Sequence, residues 1–360
     1  MRNGEAIAER VRAGARVTRD EALQLYRGAS TPLLGQLADA IRQRKHPDRI
    51  VTYIIDRNVN YTNVCVARCN FCAFYREVGS AEGYVLGFDE LFRKIDETIA
   101  VGGVQLLLQG GHNPDLPLSW YEDLFRAVKE RYPDFKLHAL SPPEVIHLSR
   151  LSQLSVPEVI QRLMAAGLDS VPGGGAEILV DRVRKLLHCY GKATSDEWLD
   201  VMRHAHRAGL RTTATMMFGC GETIEQRMNH LELVRNLQEE TGGFTAFIPW
   251  TFQRENTSLG RFVKEEATAV EYLQTLAISR LYLDNFENVQ SSWVTQGLKT
   301  CQMGLRFGGN DVGSIMIEEN VVSAAGAHHR ASEEELRRII RDAGFVPKQR
   351  DTLYRTYFLN

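Results

Sequence analysis

No apolar run in this chain approaches the roughly 18 to 20 residues that a spanning helix needs, so a membrane-embedded segment is not expected. Charge of one sign is not in excess: 43 Lys and Arg stand against 45 Asp and Glu, a formal net charge of −2. No global field therefore argues for a nucleic acid or an anionic membrane as partner. Glycines occur in clusters, but none has the G-x-G-x-x-G or P-loop spacing that cradles a nucleotide phosphate. The N-terminus, MRNGEAIAERVRAGARV, is charged throughout and lacks the apolar core of a secretory signal. The expected location is the cytoplasm, a reducing one. Cysteine is scarce, six in 360 residues, which there argues against a disulfide framework.

What is present is an ordinary enzyme-like balance, 44% hydrophobic and 24% charged, enough to bury a core without staples. No linker or low-complexity tract divides the chain. The first 50 residues read as a helical lead-in. Thr18 and Glu21 have capping-box spacing. Thr31 is placed to cap a helix with Pro32 in its first turn, and Leu34, Leu37, Ala38 and Ile41 share one face. The basic run RQRK then closes that helix against its dipole.

After residue 50 a rhythm sets in. Short β-rich runs recur as VTYII, VQLLLQ, KLHAL, LDSVPG, TTATMMFG, FTAFIPW, NVQSSW and GSIMI, with helical segments between most of them. In DELFRKIDETIAVG, Leu91, Ile95 and Ile99 are assigned to one face. Strands alternating with helices imply βαβ units and a parallel sheet. About eight such repeats fit a closed α/β barrel of the (β/α)8 kind better than an open doubly wound sheet. The expected division is a helical extension over 1–50 and a barrel over 51–360, including the C-terminal segment. Several strand runs end in small or polar residues: QGGHN after Leu108, SPPE after Leu140, PGGG after Val171, GCGE after Phe218. In a barrel such ends gather on the rim that carries active sites.

Three of the six cysteines crowd into CVARCNFCAFYR, with three residues between Cys65 and Cys69 and two between Cys69 and Cys72. Cys189, Cys220 and Cys301 are scattered, and each reads as a small buried hydrophobe. Three thiolates on one loop hold three corners of an iron–sulfur cluster. A structural zinc site wants four closed ligands, and no fourth lies in the loop. By spacing alone, a partial zinc knuckle or chance stays open beside the iron–sulfur reading.

C-x3-C-x2-C with an aromatic just before its last cysteine resembles the motif of the radical S-adenosylmethionine (SAM) superfamily. The resemblance implies a 4Fe–4S cluster on Cys65, Cys69 and Cys72, with SAM chelating the remaining iron and yielding a 5′-deoxyadenosyl radical on reduction. It further implies that Gln109, Gly110 and Gly111 contact SAM through their backbones and that Ser141 faces the same cavity. Glu177 matches a position that reaches the SAM ribose or amine. Arg184, at i+7 from it, is either a partner for the methionine carboxylate or a solvated helix residue. Phe71 and the backbone around Phe74 would border the adenine.

Longer segments narrow the resemblance: DRNVNYTNVCVARCNFCAFYR, QLLLQGGHNPDLPLSWYEDLF, HALSPPEV and GSIMIEENVVSAAG look like the cyclases of the futalosine route to menaquinone. Aminofutalosine synthases and deazaflavin FO synthase subunits share the cluster and the barrel, and remain the alternatives at this point. The cyclase reading implies a nucleoside-like substrate carrying a benzoate group, removal of its C4′ hydrogen, ring closure onto the benzoate, and an electron donor such as flavodoxin or ferredoxin. His112 and Asp311 are the implied catalytic candidates, with Thr215, Asn310 and Glu318 as substrate contacts. Arg254 and Arg306 are candidate partners of the benzoate carboxylate.

Overall fold

The computed structural model describes residues 2–356, so positions 1 and 357–360 of the two expected units lie outside the described residues. The lead-in forms α1 (Arg2–Arg12), α2 (Arg19–Gly28) and α3 (Thr31–Lys45). The capping box of Thr18 and Glu21 starts α2. The cap of α3 is Ser30 rather than Thr31: Ser30 is extended and its hydroxyl accepts from Leu33 N–H, so Thr31 and Pro32 fill the first turn. The three helices pack into the larger of two hydrophobic cores among the described residues, while Val51, Tyr53 and Ile55 belong to a second one with Val312, Leu336 and Ile340.

Ten strands follow among the described residues: β1 (Ile50–Ile54), β2 (Asp56–Asn60), β3 (Gln105–Gln109), β4 (Lys136–Ala139), β5 (Ser170–Val171), β6 (Arg211–Phe218), β7 (Phe244–Thr251), β8 (Asn288–Val289), β9 (Asp311–Ser314) and β10 (Val346–Gln349). The helices between them are α4 (Phe88–Ala100), α5 (Leu118–Arg131), α6 (Pro142–Ser152), α7 (Val156–Ala166), α8 (Asp181–Leu186), α9 (Ser195–Arg207), α10 (Ile224–Thr241), α11 (Ala269–Tyr282), α12 (Gly297–Gly304) and α13 (Glu333–Asp342).

Strands β2 to β8 pair in sequence order as one parallel sheet, and β9 and β10 flank β1 in a second. The two sheets join twice. Strand β1 runs on into β2 with only Ile55 between them, and a bridge from Gln290 to Asp311 ties the end of β8 to β9. One bent strand, 50–60, therefore closes the curl as an α/β barrel, pairing with β9 through its first half and β3 through its second. NVQSSW is as weak as its composition suggests, since β8 is two residues long. The run KQ at the end of β10 had no strand signal of its own, and pairing with β1 supplies it. In α4 the buried face is Leu91, Lys94, Ile95 and Thr98, while Ile99 is 43% exposed. Steps of four drift forward on a 3.6-residue helix, and by Ile99 the drift has left the core face.

Candidate active site

A cavity of about 410 Å³ runs along the barrel axis. Its upper wall is the loop after β2, and Cys65, Cys69 and Cys72 all line it. Backbone bonds fix that loop: Cys65 N–H donates to Arg76 C=O at 2.9 Å, Val66 N–H to His112 C=O at 3.1 Å and Cys72 N–H to Cys69 C=O at 3.2 Å. Arg68 takes a left-handed φ of 50°, which turns the chain between the first two cysteines. Phe71 and Phe74 line the same cavity. Burial pushes the Cys69 thiol up, opposed by the ammonium of Lys192. Lys192 is held charged: burial works against its proton, but the Cys69 sulfur and Glu177 raise its pKa overall.

The glycine loop after β3 lies against this cysteine loop. A Cβ on Gly110 would fall 2.5 Å from the Tyr61 ring, and one on Gly111 would fall 2.1 Å from the Val64 carbonyl, so only glycine allows the approach. The N–H groups are already spent, Gly110 on Glu144 Oε1 at 3.0 Å and Gly111 on Thr62 C=O at 3.0 Å. What the loop can present to a ligand is carbonyl oxygen, along with the Gln109 side chain, which lines the cavity. Glu144 anchors it, accepting also from Tyr61 Oη at 2.7 Å and Ser141 Oγ at 2.5 Å. Burial pushes the Glu144 carboxyl up to about 7. Just before Ser141, Leu140 takes φ 63°, a conformation costly for its side chain, and the turn brings Ser141 to the cavity wall.

Glu177 lines the cavity and receives Lys192 Nζ at 3.0 Å. Arg184 does neither of the things expected of it. It is fully buried and spends its guanidinium on the carbonyls of Ala193, Ala176 and Gly175, at 2.8, 2.6 and 3.1 Å, pinning the loop that carries Glu177. The GCGE segment after β6 also departs from the rim pattern. Its Glu222 turns inward to Gly219 N–H, Cys220 N–H and Arg227 Nε.

The substrate candidates divide. His112 lines the cavity, stacked on His147 with ring centroids 4.9 Å apart, and burial holds its pKa well below the usual histidine value. Thr215 lines it too, donating to Gly173 C=O at 2.6 Å. Asp311 does not reach it: its carboxylate is sealed by Thr52 Oγ1 and Arg350 Nε, both at 2.6 Å, and by Gly313 N–H at 2.8 Å. Asn310 faces the opposite end of the barrel, among Thr52, Arg211 and Phe244, accepting from Arg280 Nη2 at 2.6 Å. Glu318 sits outside, held by Arg57 Nε and Lys94 Nζ, both at 2.7 Å. Arg254 bonds the carbonyl of Lys264, and Arg306 bonds that of Ala343, so neither is free in the cavity. For Asn310 and Asp311 the turn-like segment hid a structural use of the polar side chain.

Sequence reasoning missed the lower cavity wall, where Asp56, Asn58, Gln105, His138, Arg350, Thr352 and Tyr354 lie. Alternation along DRNVN was the available signal, since Asp56, Asn58 and Asn60 are spaced by two and point one way. For His138 the hydrogen bonds fix the tautomer. Ser170 Oγ gives its only hydrogen to Arg211 C=O at 2.6 Å, so it accepts from His138 Nδ1–H at 2.9 Å. Nε2 is then bare, and burial with the nearby Arg350 charge lowers the ring's pKa to about 3.

Against known proteins, residues 59–234 match the family described as the radical SAM superfamily, and residues 241–359 match the CofH/MqnC C-terminal region. The cyclic dehypoxanthine futalosine synthase of Streptomyces coelicolor is 47% identical over 97% of this chain and 88% of its own length. That of Halalkalibacterium halodurans is 47% identical over 97% and 94%. The chain belongs to the radical SAM superfamily. An aminodeoxyfutalosine synthase from Thermus thermophilus is 40% identical over 97% of this chain and 94% of its own. In fold, the protein is similar to methylornithine synthase, with a TM-score of 0.74, 17% identity and coverage of 95% and 97%. It is also similar to the FeFe-hydrogenase maturase of Carboxydothermus hydrogenoformans, with a TM-score of 0.78, 17% identity and coverage of 98% and 80%.

The superfamily implies an iron–sulfur cluster and SAM, and the donor set fits. Three thiols of one loop face one cavity beside Phe71 and Phe74, with a largely enclosed cation, Lys192, near Cys69. Among the described residues no three His, Cys, Asp or Glu side chains gather as ligands of a single ion would. Cys189, Cys220 and Cys301 are buried at 0%, 5% and 0% exposure. Replacing any of these three by alanine is expected to leave the iron content per chain unchanged; iron loss in one of them would show that the ligand set is different.

Proposed function

We propose that this protein is a radical SAM cyclase of menaquinone biosynthesis, forming cyclic dehypoxanthine futalosine from dehypoxanthine futalosine. The observation that carries the reading is 47% identity over 97% of the chain to two synthases of that product, against 40% to the aminodeoxyfutalosine synthase. When bound, the cluster and SAM supply a 5′-deoxyadenosyl radical able to remove a substrate hydrogen atom. Cys65, Cys69 and Cys72 would hold the cluster. The carbonyls of the Gln109–Gly111 loop are acceptors suited to the SAM ammonium, while Ser141 and Glu177 stand where its sugar or amine would lie. Phe71 and Phe74 supply the apolar border that keeps water from the reacting atoms. His112, neutral and lining the cavity, would be the residue that engages the substrate. The reducing electron would come from a small redox protein of the flavodoxin or ferredoxin kind.

The test is anaerobic reconstitution with iron and sulfide, then incubation with reductant, SAM and dehypoxanthine futalosine. The expected result is 5′-deoxyadenosine and methionine in step with a product two hydrogen atoms lighter than the substrate. Incorporation of the adenosyl group into a product made from an enolpyruvyl ether of benzoate, with dehypoxanthine futalosine untouched, would overturn the reading in favour of an aminodeoxyfutalosine synthase.

A further inference from the structure

The barrel register sorts the cavity walls of β2, β3 and β4 into layers. Asp56 pairs with Gln105 in the lowest, Asn58 with Leu107 and His138 in the middle, and Asn60 with Gln109 in the upper. The lowest layer satisfies itself. Asp56 accepts from Ser314 Oγ and from Gln105 Nε2, and Gln105 Oε1 accepts from Thr352 Oγ1 at 2.6 Å. In the upper layer Asn60 Nδ2 donates to Gln109 C=O at 3.2 Å, and its Oδ1 accepts from Asn320 Nδ2 at 3.3 Å.

The middle layer is different. Asn58 is 7% exposed, its Oδ1 is buried with no partner, and its amide enters no hydrogen bond of the protein among the described residues. His138, 8% exposed in the same cavity, turns its bare Nε2 away from Ser170, and no protein donor among the described residues reaches it. An unpaired buried polar group costs about 1–3 kcal/mol, so an orphaned Asn58 side chain beside a bare Nε2 open to the hollow lumen points to a ligand in this layer. Their chemistry selects a hydroxyl. Nε2 accepts, the unpartnered Asn58 amide N–H groups donate because Oδ1 is shut off from the lumen, and Leu107 between them offers a sugar or ring an apolar face. A ring held neutral so firmly is a poor base, so the role is acceptance of a hydrogen bond rather than of a proton.

We propose that Asn58 and His138 form the subsite that reads the hydroxyl groups of the substrate's sugar. The proposal rests on the cyclase reading for the identity of that sugar. It places the substrate below the Gln109–Gly111 loop and above the floor formed by Arg350 and Thr352.

The test uses reconstituted holoenzyme with SAM and no reductant, and measures equilibrium binding of dehypoxanthine futalosine and of an analogue lacking the ribose hydroxyls. The wild-type protein is expected to bind the analogue at least about tenfold more weakly, the worth of one good hydrogen bond. Asn58→Leu and His138→Asn, the latter keeping a donor toward Ser170, are each expected to weaken the natural substrate about tenfold and leave the analogue's affinity unchanged. His138→Gln, which returns an acceptor near the Nε2 position, should recover much of the loss. Iron content serves as the folding control. Equal wild-type affinity for the two ligands overturns the proposal whether or not the variants fold, and so do variants that weaken both ligands alike. If wild-type holoenzyme does not bind dehypoxanthine futalosine at all, the cyclase reading falls first and takes this subsite assignment with it.

Discussion

Replacing Cys69 by alanine is expected to yield a folded protein that loads almost no iron and turns over no SAM. Cys69 is the most enclosed of the three loop cysteines, 6% exposed, with its thiol beside Lys192 and Glu177. Loss of an outer-shell partner of a metal ligand costs roughly 10–100-fold in affinity or activity, and loss of a ligand itself should exceed that. The fold should survive, because the loop is held through backbone bonds that alanine retains, including Cys72 N–H to the carbonyl of residue 69 at 3.2 Å. Iron and sulfide analysis after anaerobic reconstitution, with the far-ultraviolet spectrum as control, reads both halves. A Cys69→Ala protein holding a full complement of iron would sink the three-cysteine assignment, and with it the place where SAM is expected.

The second large effect concerns stability. Arg350→Met is expected to destabilise the protein by about 3–5 kcal/mol, the cost of stranding one member of a buried ion pair. Arg350 Nε and Nη2 reach the two oxygens of Asp311 at 2.6 and 3.2 Å, and the two side chains are 7% and 0% exposed. Without the guanidinium, Asp311 keeps Thr52 Oγ1 and Gly313 N–H as its carboxylate's close donors among the described residues. Adding Asp311→Asn to Arg350→Met should restore part of the loss, since an amide does not need the missing cation. Urea unfolding of the single and double variants measures both. A loss below about 1 kcal/mol, the scale of an exposed ion pair, would mean that water reaches Asp311 and the lumen floor is looser than described.

How much of this was legible beforehand follows the range of each signal. The cysteine spacing is local, and all three thiols do share a wall with QGGH, Ser141 and the PGGG turn. Strand runs of five or more apolar or β-branched residues were visible because periodicity survives in a single strand. Pairings across the chain were not. Nothing in KQRDTLY announces that β10 lies beside β1 or that Arg350 enters the lumen. Asp311 and Asn310 drew attention as polar residues of a turn-like segment, yet their partners, Arg350, Thr52 and Arg280, are far off in sequence and take up their polar atoms. Arg184 failed for a different reason: its partners are near in sequence, but only the folded loop shows three backbone carbonyls converging on it. The middle layer of the lumen went unseen for the opposite reason: Asn58 and His138 sit in short strands whose neighbours looked like ordinary core.

The bent strand 50–60 has a consequence for the order of assembly. It belongs to the front of the chain, yet one of its neighbours, β10, Val346 to Gln349, comes about 300 positions later. Pairing at such separation is slow to find, because the loop it closes is long. Until it forms, the residues that follow, Arg350 to Tyr354, cannot plug the lower mouth of the barrel. During synthesis the thiol loop therefore emerges early, while the chamber beneath it gains its base only with the final segment. Proteolysis timed against refolding should find the C-terminal segment the last to become protected.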